Sequence, residues 1–305
     1  MHKSVLLKES IIDLNLKEDS IIVDATLGYA GHSSEILKRI PKGHLYSFDQ
    51  DDEAIKNSKE RLEKIGNNFT IIRSNFVNMK EKLNELGVEK VDGILFDLGV
   101  SSSQLDEDYR GFSFHQDAKL DMRMDQNSDL SAYNVVNEYS KEKLIDIFLS
   151  YGEEKYAKRI AENIINERKV KKIETTLELV EIIKNSVPEK YKREKHPARK
   201  VFQAIRIEVN HELEVFEKAL NDSLNLININ GRICVITFHS LEDKICKNIY
   251  KKVSEMDSNL KKLPVIPEKF LPNYKIIHTV KPDRKELLEN NRARSAKLRV
   301  IERIK

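Results

Sequence analysis

Val91-Asp92-Gly93-Ile94-Leu95-Phe96-Asp97-Leu98-Gly99-Val100-Ser101-Ser102-Ser103-Gln104-Leu105-Asp106 reads as a buried strand that stops on a carboxylate, a glycine and a run of hydroxyls. The strand spans Val91 to Leu98, with apolar residues around Asp92 and Gly93. In open α/β sheets, ligands sit beyond the carboxyl ends of the strands, so an acid at such an end is a candidate for chemistry. A plain turn, capped by Asp97 and the serines, would account for the same residues. The weight comes from a second strand end of the same kind, upstream.

That upstream corner is Ile21-Ile22-Val23-Asp24-Ala25-Thr26-Leu27-Gly28-Tyr29-Ala30-Gly31-His32-Ser33. A short apolar strand runs into Asp24, Gly28 and Gly31 open a loop, and a helix is predicted from Ser33 to Arg39. Glycines at a strand-to-helix turn let the backbone approach a ligand closely. A third strand, His44 to Phe48, ends in Asp49, where α/β nucleotide folds place the acid that binds ribose hydroxyls. Asp49 as a cap for the helix near Asp51 is the plainer alternative. Loop and acid together predict an adenosine-containing cofactor.

A dinucleotide fold needs Gly-x-Gly-x-x-Gly, and with Thr26 and Ala30 in place that triplet cannot be drawn. The Asp24-x-x-x-Gly28 pattern instead resembles the first motif of S-adenosylmethionine-dependent methyltransferases, in which the strand-end acid and loop backbone face the methionine part. Asn75-Phe76, after the strand Thr70 to Arg73, would offer an apolar face to adenine. Ordinary core packing of Phe76 is the alternative.

Further blocks follow in one order along the chain. Gly28-x-x-Gly31-His32-Ser33 precedes Asp97-Leu98-Gly99-Val100-Ser101-Ser102-x-Gln104-Leu105-Asp106, then Arg110-Gly111-Phe112-Ser113-Phe114 and Leu120-Asp121-Met122-Arg123-Met124-Asp125. Tyr151-Gly152-Glu153-Glu154, Ala157-Lys158-Arg159-Ile160-Ala161, His196-Pro197-Ala198 and Phe202-Gln203-Ala204-x-Arg206-Ile207 come next. Phe238-His239-Ser240-Leu241-Glu242-Asp243 and Asn290-x-Arg292-Ala293-Arg294-Ser295 complete the set. The chain resembles, over nearly its whole length, the bacterial RsmH (MraW) family of ribosomal small subunit RNA cytosine-N4-methyltransferases. Ala30, Ser103 and Asn291 depart from the family pattern, standing where glycine, proline and proline are common. Ala30 is expected to admit the cofactor provided its φ is negative.

The resemblance implies a class I S-adenosylmethionine-dependent methyltransferase (Rossmann-like) sheet with an inserted all-helical domain. It implies N4-methylation of a decoding-centre cytidine in 16S ribosomal RNA, with the small ribosomal subunit as partner and the cytoplasm as location. The cofactor contacts it implies are Ala30, Gly31, His32, Asp49, Phe76, Asp97 and Gln104. The cytosine amine is a poor nucleophile because its lone pair is delocalised into the ring, so a hydrogen-bond acceptor must favour its sp³ form. Asp97, as the catalytic residue, and the Leu98 carbonyl are the expected acceptors. Tyr109, Phe112 and Phe114 are candidate stacking partners for an unstacked base, though such aromatics are more often core. His239 and Ser240 are secondary candidates for lining the site. A non-catalytic ribosome-assembly factor on the same fold, and less so an NAD(P)-dependent enzyme, are the alternatives.

Composition is compatible with that reading without leading to it. The 305 residues are 34% charged and 40% hydrophobic, with a net charge of only +3, as in ordinary globular proteins. No apolar run has the length of a membrane helix, and the apolar run after Met1 breaks too early for a signal peptide. Cys234 and Cys246 read as reduced thiols, and no Cys/His spacing matches a zinc site, so no metal is expected. Cations cluster between Lys184 and Lys200 and again from Lys281 to Lys305. Such clusters neutralise phosphates, or simply form a solvated face.

Strands near 21–25, 45–49, 70–73 and 93–98 alternate with helices, the signature of a parallel sheet. No strand is predicted between Asp106 and Asn210, where Leu144-Ile145-x-x-Phe148-Leu149 and Leu177-x-Leu179-Val180-x-Ile182-Ile183 carry helical spacing. Asn230-Gly231 is predicted to turn into a strand from Arg232 to Phe238, and Tyr274 to Val280 and Ala296 to Arg303 to close the sheet. The expected division is a discontinuous methyltransferase domain, 1–105 and 210–305, around a helical substrate-recognition domain, 106–209.

Overall fold

Short runs of aliphatic and aromatic residues bounded by turn residues become the strands of one seven-stranded sheet. It is seen in a computed structural model that describes residues 4–99, 109–194, 196–256 and 268–305. The strands are β1 (Ile21–Asp24), β2 (His44–Asp49), β3 (Phe69–Arg73), β4 (Val91–Asp97), β5 (Ile227–Thr237), β6 (Tyr274–Val280) and β7 (Lys297–Arg303). Their order is β3-β2-β1-β4-β5-β7-β6. The first five are parallel, and β7 runs antiparallel to both β5 and β6. This is the Rossmann-like methyltransferase sheet expected above. The chain order reverses at β1, which pairs with both β2 and β4, so a ligand crevice belongs beside the ends of those three strands.

Each predicted strand is present, but β5 starts earlier than its residues suggested. Val91 pairs with Ile227 and Gly93 with Arg232, so extra residues of β5 bulge out between two matched positions. Asn230, at φ 66°, supplies the left-handed residue, and Asn228 donates to Asp92 Oδ1 at 2.8 Å. The other Asp92 oxygen accepts the Ile21 amide at 2.8 Å. The polar residue inside β4 therefore ties the start of β1 to the bulge. What reads as a turn before the strand is an irregularity within it.

The chain divides into two compact units, Met1–Gly99 with Leu213–Lys305, and Val100–Glu212. The divisions at 99/100 and 212/213 differ from the expected 105/106 and 209/210. The second is displaced because the helix Ala198–Asn210 ends on His211 in the left-handed region, φ 50°, and Glu212 forms a bidentate pair with Arg206 at 2.8 and 2.9 Å.

The first unit buries Ile22, Val23, Phe48, Ile94, Leu95, Phe96, Ile233 and Val235 against helices that include Gly31–Leu37, Asp52–Glu63, Glu212–Leu226 and Ser240–Ser254. A short helix, Leu7–Asp13, precedes β1; no sequence pattern announces it. The second unit has its own core, with Leu144, Phe148, Ile160, Ile164, Leu179, Ile183, Phe202 and Ile205 contributed by four helices. Among its described residues the only pairing outside helices is an isolated bridge between Lys119 and Thr175. Buried Asn137 stitches it, donating to the Ile173 carbonyl and accepting the Ile173 amide at 2.8 and 3.0 Å. Both cysteines are free and buried in the first unit. No described helix is long and apolar enough to cross a membrane.

Candidate active site

Because β1, β2, β4 and β5 are parallel, Asp24, Asp49, Asp97 and the turn Phe238-His239-Ser240 come to one edge of the sheet. Their roles separate at once. Asp24 is 1% exposed, and burial raises its pKa although Ser33 and Thr26 donate to it. Ser33 Oγ donates to one oxygen at 2.7 Å and the Thr26 amide to the other at 3.1 Å. Asp24 thus holds the loop to the helix Gly31–Leu37. Its carboxylate is occupied internally, whereas the motif alone leads one to expect it to face a cofactor.

Asp97 is different. Its amide donates to Thr26 Oγ1 at 2.8 Å, which locks the end of β4 to the loop after β1. Its side chain is 25% exposed, yet Oδ1 is buried and has no hydrogen-bond partner among the described residues. Burial, reinforced by the charges of Asp24 and Glu242, lifts its pKa to about 8. His32 Nδ1 lies 3.5 Å from Oδ2. Burial pushes the imidazole down to about 4, opposed by the nearby Val5 backbone. His32 is therefore neutral near pH 7, and it gives Asp97 a dipole but no countercharge. Glu242, 3% exposed, accepts the Phe238 and His239 amides on one oxygen at 2.8 and 3.2 Å. The corner brings several acids together.

Asp49 is held by backbone. One carboxylate oxygen accepts the Gly28 amide and the other the Asp51 amide, both at 2.9 Å. The Gln50 backbone also acts on the carboxylate, and the acceptor capacity that remains can take a hydroxyl. Burial raises its pKa to about 6, opposed by those two amides. The glycine loop is strained where the sequence departs from the pattern of the family it resembles. Gly28 has φ 47°, and Ala30, fully buried, has φ 56°. The condition placed on Ala30, a negative φ, is not met. The loop needs a left-handed residue as it enters the helix Gly31–Leu37, and a side chain is tolerated there at a cost.

Two residues that sequence reasoning missed hold this loop. Ser58 Oγ donates to the Gly28 carbonyl at 2.5 Å, and Arg61 Nη1 to the Tyr29 carbonyl at 2.9 Å. A signal was available for Ser58. It falls in the buried stripe Ala54, Ser58, Leu62 of the helix Asp52–Glu63, where a hydroxyl requires a partner.

Phe76 opens the one-turn helix Phe76–Asn78 after β3, half-buried, its ring edge-on to Phe96 with centroids 5.7 Å apart. Gln104 and the serines Ser101 to Ser103 lie outside the described residues, as does Lys195. Ser240 is exposed and begins the helix Ser240–Ser254, with His239 as its N-cap residue.

In the second unit, Phe112 is 6% exposed and belongs to the core, so it is not a free stacking face. Phe114 stacks on His196 at 4.6 Å and 21°, while Tyr109 is 60% exposed. The arginines of the motifs here are scaffold. Arg110, 3% exposed, donates to the carbonyls of Arg123 and Met124, and Arg123 makes a bidentate pair with Asp121, both bonds 2.8 Å. The cation runs divide likewise. Lys184 and Lys192 are paired with Glu181 and Glu189, and Lys297 and Arg299 both grip Asp243. Lys190, Arg193 and Arg199 are exposed.

A model of the MraW methylase family matches residues 1–304. The chain belongs to the MraW methylase family. It is 53% identical to the ribosomal RNA small subunit methyltransferase H of Exiguobacterium sibiricum, over 100% of this chain and 98% of that one. It is also 53% identical to the protein of the same name from Finegoldia magna, over 99% and 98%. Among solved structures it is similar to an rRNA methylase from Streptococcus thermophilus, with 10% identity, 100% and 99% coverage and a TM-score of 0.46. Membership of a methylase family removes the nicotinamide alternative. In this MraW methylase the strand-end corner around Asp97 and Asp49 is accordingly the candidate active site.

Proposed function

We propose that this protein transfers a methyl group from S-adenosylmethionine to the exocyclic N4 of a decoding-centre cytidine in 16S ribosomal RNA, acting on the small ribosomal subunit in the cytoplasm. The carrying observation is Asp97, an acid at the end of β4 with one carboxylate oxygen buried and unpartnered among the described residues. Buried polar groups that lack a protein partner call for a ligand.

The residues fit the cofactor. Its adenosine ribose offers hydroxyls, which suit the remaining acceptor capacity of the Asp49 carboxylate. Its sulfonium and ammonium charges suit a corner that holds Asp24, Asp97 and Glu242 beside a neutral His32. Ala30, Gly31 and His32 would face the methionine part, Phe76 the adenine, and Gln104 completes the set that the family resemblance implies. When bound, the cofactor supplies an electrophilic methyl on a leaving group that departs uncharged.

The protein's share of the chemistry is then positioning and a proton. Asp97, through the exposed part of its carboxyl group, accepts an N–H of the cytosine amine, which draws the lone pair out of conjugation. Beside the positive charge of the bound cofactor, Asp97 favours the carboxylate over the protonated form that burial otherwise imposes, and that carboxylate takes the proton that the methylated nitrogen must lose. The Val100–Glu212 unit is proposed to recognise the RNA, with the exposed cations Lys190, Arg193 and Arg199 meeting phosphates.

The test is transfer of labelled methyl from S-adenosylmethionine to small subunits, followed by nuclease digestion and mass spectrometry of the nucleosides. N4-methylcytidine at one decoding-centre position is the expected product. A label on another base or atom would overturn the site of attack. Subunit binding without transfer would leave a non-catalytic assembly factor.

A further inference from the structure

We propose that the segment Ser4–Leu6 is a working part of the methyl-transfer site, a positioning element that sets His32 against Asp97, and that Glu286 holds it in place. The proposal rests on the reading of Ala30 to His32 and Asp97 as the cofactor corner.

The contacts converge from three directions. The Ser4 side chain stands where any Cβ on Gly31 would have to go, so Gly31 is small to admit this segment and not only a ligand. The Val5 backbone lies close enough to the His32 ring to act on its charge. Nε2 of that ring is buried without a hydrogen-bond partner among the described residues, and Nδ1 faces Asp97 at 3.5 Å. Leu6, with no exposed surface, shares one apolar cluster with Leu27 and Ala30 of the cofactor loop.

The segment is not a relaxed tail. Leu6 has φ 51° and ψ 33°, a left-handed conformation that a leucine adopts only when its surroundings impose it. The imposing group is Glu286, whose Oε1 accepts the Leu6 amide at 2.7 Å. Glu286 lies in the helix Arg284–Glu289, and its own amide bonds the N-cap Asp283 at 2.7 Å. Leu287 and the fully buried Ala293 pack on the same cluster. Ala293 belongs to the block Asn290-x-Arg292-Ala293-Arg294-Ser295, so the end of the chain backs the segment that backs His32.

The geometry assigns Glu286 a role without contact with any reacting atom. It fixes the Leu6 amide, and the segment, through Ser4 against Gly31 and Leu6 in one cluster with Ala30, fixes the backbone that carries His32 beside Asp97. Glutamine at 286 keeps an acceptor oxygen; alanine does not.

The experiment uses the full chain as wild type, Glu286→Ala and Glu286→Gln. Cofactor affinity is measured by calorimetry, single-turnover methyl transfer on small subunits, and melting temperature alongside. Glu286→Ala should weaken S-adenosylmethionine binding by about tenfold and slow single turnover, an effect the size of one hydrogen bond to a fixed backbone group. Glu286→Gln should recover both to within about twofold of wild type, since the acceptor is retained. Wild-type affinity and rate in Glu286→Ala would overturn the proposal, as would equal impairment of both variants, which would point to charge. If Glu286→Ala does not fold, the His32 ring resonances decide it. They should match wild type in Glu286→Gln and move in Glu286→Asp, and unmoved resonances in Glu286→Asp would overturn the proposal. A wild type that does not bind S-adenosylmethionine, or an Asp49→Ala variant that binds it equally well, would instead remove the underlying reading of the site.

Discussion

Ala30 and Asp97 show how single residues here trade stability for a site. An alanine at φ 56° strains a loop that a glycine would relax. Ala30→Gly should therefore stabilise the protein by about 0.5–1 kcal/mol, the left-handed penalty less the added freedom of the unfolded chain. Urea unfolding measures it, and an unchanged or lowered midpoint would refute the strain. Asp97 carries a larger conflict. Its folded pKa of about 8 lies above its ordinary value of 3.8, so the native state holds an extra proton between those values. By linkage, stability falls as pH rises through that window. Asp97→Asn lacks the titration and should be more stable than wild type at pH 9, by about 1–3 kcal/mol. Its single-turnover methyl transfer should fall by about a hundredfold or more. A variant that is less stable at pH 9, or that keeps its chemical rate, contradicts that assignment. Asp49 titrates lower, at about 6, and in the proposed site its charge strengthens the bonds it accepts from the ribose hydroxyls. Cofactor affinity should therefore weaken as pH drops below 6, and calorimetry at pH 5 and pH 7.5 checks it.

At the scale of elements, the helix Asp52–Glu63 acts as a clamp on the loop between β1 and the helix Gly31–Leu37. Ser58→Ala leaves the Gly28 carbonyl without its donor. It should cost about 1–2 kcal/mol of stability and several-fold in cofactor affinity, while Lys59→Ala on the exposed side of the helix should cost neither. Equal effects in both variants would deny the clamp. What was legible in the sequence follows the same division. Strand ends at Asp24, Asp49 and Asp97 could be read because apolar runs stop there. The β5 bulge could not, since Asn230-Gly231 carries the chemistry of an ordinary turn and only pairing with β4 makes it part of a strand. The segment before β1 was opaque for a deeper reason. The Leu6 conformation is set by a carboxylate 280 positions away, and no local pattern records such a partner. Asp24 turns inward to Ser33 and Thr26, which residue type alone does not record, whereas Phe112 takes the core position that is the commoner one for such an aromatic.

At the scale of the whole molecule, the modest net charge of +3 hides where the free cations are. Glutamate at Lys190, Arg193 and Arg199 together should weaken binding to small subunits while leaving cofactor affinity alone. The wild-type salt dependence should be the steeper, by about one unit of slope for each phosphate that the variant no longer neutralises. Identical slopes in parallel salt titrations would move the RNA surface elsewhere.

The discontinuous sheet also carries a consequence for biogenesis. During synthesis β1 to β4 emerge well before β5, separated from it by the Val100–Glu212 unit. For that interval the edge of β4 that will pair with Ile233, Cys234 and Val235 has no partner, and an open apolar edge invites wrong pairing. The intervening unit, with its own core, can fold in the meantime. The sheet must wait for β7, and Leu6 for Glu286, until those segments leave the exit tunnel. The N-terminal half of this enzyme should therefore remain protease-sensitive on the ribosome until β7 has emerged, making the nascent chain a client for chaperones rather than an early folder.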